Sequence, residues 1–112
     1  MFGKSKDQLE HMVEKNHWVK IQGKLNHASV QTKINIAAAC SKSSEDDSMN
    51  ILVRLLQDTD EAVQLQAIKS LGICGRSSVK GHLNSLSGHL PEGKEDVKQA
   101  IREAQASITK RQ

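Results

Sequence analysis

The chain of 112 residues contains no tyrosine, one phenylalanine (Phe2), one tryptophan (Trp18), one proline (Pro91) and two cysteines. Each scarcity removes a class of protein. Binders of single-stranded nucleic acid stack bases on several surface aromatics, and one Trp with one Phe supplies no such platform. β-Sandwiches and barrels draw on β-branched and aromatic residues punctuated by frequent Gly and Pro turns; here Ser, Lys, Gln, Ala, Leu and Ile are the abundant residues. Two cysteines do not make a disulfide framework, and no Cys-x-x-Cys spacing is present for zinc. No apolar run approaches the ~18 residues a membrane span needs. Met1–Asp7 lacks the apolar stretch of a secretory signal, so a cytoplasmic location is expected. With 37% apolar and 26% charged residues, the composition is that of one small, all-helical globular domain.

Charge is unevenly spread. Residues 1–42 carry seven Lys against three acids, residues 43–75 two basic against six acidic residues, and residues 76–112 seven basic against four acidic. The net +3 charge permits loose association with polyanions. The acidic middle interrupts any continuous basic track, which argues against dedicated nucleic-acid binding.

Apolar periodicity predicts seven helices. Leu9, Met12 and Val13 define one over about 5–15, with Ser5 and Gln8 at capping-box spacing. Trp18, Ile21 and Leu25 define a second over about 16–25, with Trp18 expected in the core. Val30, Ile34, Ala37, Ala38 and the neighbouring Ile36 define a third over about 28–41. Met49, Leu52, Val53, Leu55 and Leu56 place a fourth over about 46–57, with Ser44 at a capping distance from Asp47. A fifth starts at Asp58–Glu61, where acids suit a helix N-terminus, and runs through Val63, Ala67, Ile68, Leu71 and Cys74 to Gly75. Val79, Leu83, Leu86 and Leu90 place a sixth over about 77–90, weakened by Gly81 and Gly88. After the Pro91-Glu92-Gly93 turn, Val97, Ala100, Ile101, Ala104 and Ile108 define the seventh over about 94–109.

The pattern repeats at 33–34 residues. Met49, Leu52 and Leu56 recur as Leu83, Leu86 and Leu90; Val63 recurs as Val97; Ala67-Ile68-Lys69 recurs as Ala100-Ile101-Arg102; and Val30-Gln31 precedes Val63-Gln64 by 33. Each unit is a helix, a short turn and a second helix that opens with Val. One helical hairpin cannot bury its apolar faces alone, so about three in a row, over 5–42, 45–75 and 77–109, predict a short α-solenoid. Cys40 and Cys74, 34 apart, then sit at like positions as small buried residues.

The run Met49-x-x-Leu52-x-x-Leu55-Leu56-x-Asp58-x-Asp60-x-x-Val63-x-x-x-Ala67-x-x-x-Leu71-Gly72-x-x-Gly75 resembles a HEAT repeat of the short bacterial kind found in phycobilisome-lyase-like proteins, and it recurs over 16–42 and 79–108. The resemblance implies an α-α superhelix whose second helices, 28–41, 60–74 and 94–109, line a concave, partner-binding face. Members often carry Arg or Lys directly after the Val, paired with the turn Asp. Here those positions are Gln31, Gln64 and Lys98; only Lys98 could form such a pair, so no continuous Asp–cation ladder is expected.

Nothing in the sequence points to catalysis, a cofactor or a metal. Among the histidines, His82 and His89 are too far apart on one helix for a shared metal and read as solvated or capping residues. Glu45-Asp46-Asp47 and Asp58, Asp60, Glu61 fall where helices begin, so the helix dipole accounts for them. The positive signal is a polar stripe on the second helices: Gln31 and Asn35, Gln64, then Lys98 and Arg102. Stacked side by side, these would form a docking face for an acidic segment of another protein. The expectation is therefore a non-catalytic interaction scaffold, monomeric or weakly self-associating through apolar flanks at Leu9, Met12 and Val13 and at Ala104 and Ile108. An accessory or lyase-like subunit of an enzyme system and a weak nucleic-acid binder stay open as alternatives.

Overall fold

The computed structural model describes residues 6–112; the expected Ser5 cap lies outside them. Among the described residues the chain forms seven α-helices and no strand: α1 (Lys6–Glu14), α2 (Trp18–Leu25), α3 (Val30–Cys40), α4 (Asp46–Leu55), α5 (Glu61–Cys74), α6 (Lys80–His89) and α7 (Glu95–Arg111). A 3-10 turn, Ser77–Val79, precedes α6. No helix here is long and apolar enough to cross a membrane.

Local chemistry sets the helix ends. α1 stops because Asn16 adopts φ 58°, a left-handed conformation that Asn tolerates better than most residues. The His17 N–H then donates back to Met12 O at 2.9 Å and the Asn16 N–H to Val13 O at 3.0 Å, which satisfies the last carbonyls. Ser29 caps α3 by accepting the Thr32 N–H at 3.2 Å. Asp60, two residues beyond Asp58, caps α5, its Oδ1 accepting from the Ala62 and Val63 N–H groups at 2.9 and 3.3 Å. The expected Ser44 cap of α4 does not form: Glu45 is the N-cap residue, and Ser44 Oγ donates to Cys74 O at the end of α5, 3.0 Å away. Gly93, with φ 89°, completes the turn into α7.

The helices stack in two rows. The odd-numbered helices pack on one another in sequence order, α1 on α3, α3 on α5 and α5 on α7. The even-numbered helices cover one side of that row and barely touch each other. A row close-packed on one side and splayed on the other bends, with the second helices on the inside, as in a solenoid. The core runs between the rows. Trp18 lies in it, 7% exposed, with its Nε1–H donating to Glu45 Oε2 at 3.4 Å.

The repeat register differs from the one the Val residues suggest. Val63 and Val97 are fully buried, whereas Val30 is 44% exposed. Counted from their N-cap residues Ser29 and Asp60, the buried Ile36, Ala37, Ala39 and Cys40 of α3 fall on the buried Ala67, Ile68, Ser70 and Leu71 of α5, an interval of 31. From Asp60 to Lys94 the interval is 34, and the buried Val63, Ala67, Ser70 and Cys74 fall on the buried Val97, Ile101, Ala104 and Ile108. α3 has 11 residues and α5 has 14, and those three residues account for the shorter first interval. Cys40 therefore corresponds to Leu71 and not to Cys74, and Ala67 to Ile101 and not to Ala100.

The terminal helices leave no apolar flank. Leu9, Met12, Val13, Ala104 and Ile108 are all 7% exposed or less, buried in the chain's own core. On α7 the counterparts of the buried Ile68 and Leu71 are the exposed Arg102 and the half-buried Gln105. Gln105 Nε2 donates to Asn84 Oδ1 at 2.6 Å, so the row ends on a polar face.

Candidate binding face

The register decides which side chains meet between units. Lys33, Gln64 and Lys98 are equivalent once the intervals of 31 and 34 are applied. Lys33 Nζ pairs with Asp58 Oδ2 of the next unit's turn at 2.7 Å, and the Asp60 N–H donates to Asp58 Oδ1 at 2.9 Å. Burial alone would raise the Asp58 carboxyl; the Lys33 hydrogen bond, the Asp60 N–H and the Lys33 charge together outweigh it and hold the carboxyl below its ordinary value. One rung of an Asp–cation ladder thus exists where none was expected, because its cation is three residues after Val30 and not one. At the next position Gln64 Nε2 donates to Leu56 O at 3.0 Å, and Lys98 lies 3.8 Å from Glu95 of its own helix. Lys94 and Glu61 join the second pair of units at 3.2 Å.

The five residues of the anticipated polar stripe do not share one surface. Gln31 and Asn35 stay together on α3, Gln31 Nε2 donating to Asn35 Oδ1 at 3.0 Å. Gln64 and Lys98 are half-buried near the turns. Arg102 stands at the polar end of the row, its Nη2 donating to Gln99 Oε1 at 2.7 Å.

What the second-helix row does present is a groove between α5 and α7, of about 410 Å³, lined by Leu65, Lys69, Gly72 and Ile73 on one side and Ala100, Glu103, Ala104 and Ser107 on the other. Its walls come from α5 and α7 alone, so it opens away from the first helices. The floor is made of the smallest side chains for a steric reason. A Cβ on Gly72 would lie 3.1 Å from Ala104 Cα and 3.2 Å from Ala104 Cβ, so the two helices approach as closely as they do only because that atom is missing. Leu65 and Ala100 touch the core on one side and the groove on the other. Ile73 is 55% exposed, one of few large apolar side chains so placed. Leu65 and Ile73 fall outside the Val63, Ala67, Ile68, Leu71, Cys74 stripe, and their off-stripe spacing with Lys69 was the available sequence signal.

Several ionisable groups elsewhere are committed to structure. Arg111 Nη1 and Nη2 donate to Gly72 O and Gly75 O, each at 2.6 Å, and so clamp the C-terminus of α5. Arg76 pairs with Asp46. Both cysteines are free and buried. Burial pushes the Cys40 thiol up to about 12, against the Ser48 hydrogen bond, and the Cys74 thiol up to about 11, against the Arg111 charge. Both are neutral thiols at physiological pH, unsuited to attack a substrate. His82 and His89 are exposed, and His89 Nδ1 lies 2.7 Å from Ser85 O. Among the described residues no three His, Cys, Asp or Glu side chains converge as a metal site would require.

No curated protein and no solved structure matches the chain. The family of HEAT repeats matches residues 21–106, which takes in α3 to α6 whole and most of α2 and α7. With all-helical hairpins stacked in two rows beneath that match, the chain belongs to the HEAT repeat family.

Proposed function

We propose that this HEAT repeat protein is a non-catalytic binding module that receives a segment of another protein on the open face of its second-helix row, at the groove between α5 and α7. HEAT repeats generally mediate protein–protein interaction, and that general role becomes a specific reading through one observation. Along α5 and α7 the row exposes Ile73 and half-exposes Leu65 beside a floor of Gly72 and Ala104. Exposed apolar side chains lining a concavity on a small domain are the usual mark of a docking site. Asp58 and Asp60, two carboxylates of the acidic turn before α5, are engaged in pairing and capping, which supports binding over chemistry there.

The test uses the full chain as bait. Ile73→Asp with Ala100→Asp places two charges in the groove and should abolish recovery of the protein that the unaltered chain retains from its native source. Val19→Asp, on the outer face of α2 where Val19 is 85% exposed, should leave recovery unchanged. Retention of the same protein by the groove variant overturns the reading.

A further inference from the structure

We propose that the segment received in this groove is an amphipathic helix that carries a carboxylate between two large apolar residues. The proposal rests on the reading of the second-helix row as the binding face and adds the chemistry of the partner. Leu65, Lys69 and Ile73 are spaced four apart on α5, so they lie along one edge of the groove at steps of about 6 Å. Lys69 thus stands midway along an apolar stripe, and its ammonium forms no ion pair or hydrogen bond among the described residues. The other cations of the second-helix turns are engaged: Lys33 by Asp58, Lys94 by Glu61, Lys98 by Glu95. Glu103 lines the opposite wall, but its Oε2 accepts from Gln99 Nε2 at 3.0 Å within α7.

While the groove is open, Lys69 is exposed and its ammonium is solvated. Any partner that covers both Leu65 and Ile73 also covers the ammonium between them. A wholly apolar cover would strip that charge of water and leave it unpaired, which is strongly unfavourable. The cover must therefore bring a negative group to the midpoint. A groove walled by a helix on each side suits a third helix with anchors on one face. To reach both Leu65 and Ile73 such a helix presents apolar residues seven or eight apart, with Asp or Glu three or four residues from each.

The experiment selects 16-residue peptides from a displayed random library against the full chain and measures the affinity of the synthesised winners by fluorescence anisotropy. Winners should show the apolar–acid–apolar pattern at helical spacing. Lys69→Glu should weaken them at least tenfold, and exchanging the central acid for Lys should restore binding to that variant. Val19→Asp, outside the groove on the outer face of α2, should change affinity less than threefold. Lys69 and Ile73 are exposed, and an unchanged melting curve will show that their variants fold. Absence of enrichment, winners without a central acid, an acid at strand spacing, or failure of the charge exchange to rescue each overturns the proposal. Winners lost on Ile73→Asp but indifferent to Lys69→Glu overturn the acid requirement alone and leave the binding face standing. Winners indifferent to both substitutions overturn the two together.

Discussion

The two rows of helices use the same residue for opposite reasons. In the second-helix row, Gly72 of α5 lies so close to Ala104 that even a methyl group there would press on it. In the first-helix row, Gly23 of α2 and Gly81 and Gly88 of α6 face open space, with nothing beyond their own local helix backbone within 4 Å of where a Cβ would be. One row is close-packed and bends around its contacts; the other splays outward, and its helices are held by the inner row and not by each other. α6 shows the consequence: within it only Leu83 and Leu86 are buried, whereas α5 buries seven residues. A glycine that permits a contact and a glycine that merely weakens a helix look alike in a sequence. They separate only when the neighbour across the gap is known.

The sharpest way to break the contrast is one substitution made in both rows. Gly72→Val adds a Cβ already too close to Ala104 and two methyl groups beyond it, so α7 must move away. Overpacking of this kind costs about 2–3 kcal/mol, read as a fall in melting temperature of roughly 10 °C for a domain of this size. The groove is built on the same contact, so any partner affinity falls with it. Gly23→Val should stay within about 0.5 kcal/mol of the unaltered chain, as surface substitutions usually do. Equal losses at the two positions, by thermal denaturation followed at 222 nm, would show that the rows do not differ in packing.

How much of this was open to sequence reading follows the same division. The positions of the helices were legible, because burying one face imposes a period on the apolar residues, and Trp18, Ile21 and Leu25 or Val97, Ile101 and Ile108 display it. The repeat was legible in kind but not in register. Val30 resembles Val63 in sequence, yet as the first residue of an 11-residue helix it is half out of the core. Ser29, capping the Thr32 N–H, was the better landmark, and counting from it would have aligned Lys33 with Gln64 and Lys98. The groove was the least legible feature. Solvent-facing positions obey no period, so which of Gln31, Leu65, Lys69 or Arg102 shares a surface depends on how far neighbouring helices slide. That slide is set by such things as the Gly72–Ala104 contact.

The junctions within the inner row differ in chemistry, and pH separates them. α5 and α7 meet in close apolar contact at Gly72 and Ala104, with the more exposed Lys94–Glu61 pair at the rim, whereas α3 is tied to the turn before α5 by the largely buried Lys33–Asp58 pair. The Asp58 carboxyl is held below its ordinary value of 3.8 in the fold. A carboxyl depressed by folding adds stability that is fully present above the unfolded-state value and disappears as pH falls through the folded one. Asp58→Asn keeps an acceptor for the Asp60 N–H but loses the pair with Lys33, and should cost about 1 kcal/mol at pH 7. The gap between the two proteins, from urea denaturation at a series of pH values, should close below the ordinary carboxylate range. Gly72→Val should show a gap that does not narrow in this way. A pH-independent penalty for Asp58→Asn would remove the ion pair from the account of this junction.

The smallest expected effect has the opposite sign and belongs to the outer row. Gly81 and Gly88 adopt ordinary negative φ within α6, and a methyl group at either meets nothing. Alanine there restricts the unfolded chain and shields helical backbone, so Gly81→Ala with Gly88→Ala should raise stability by about 1 kcal/mol in total. The midpoint of urea unfolding should rise with the slope unchanged, since the surface exposed on unfolding stays the same. Gly72→Ala, chemically the same change, should lower the midpoint, because Ala104 must give way by a few tenths of an ångström. If alanine were to stabilise all three positions alike, Gly72 would have no special part in bringing α5 and α7 together. The narrow floor of the groove would then need another cause, because a glycine that alanine replaces without cost does not set the distance between two helices.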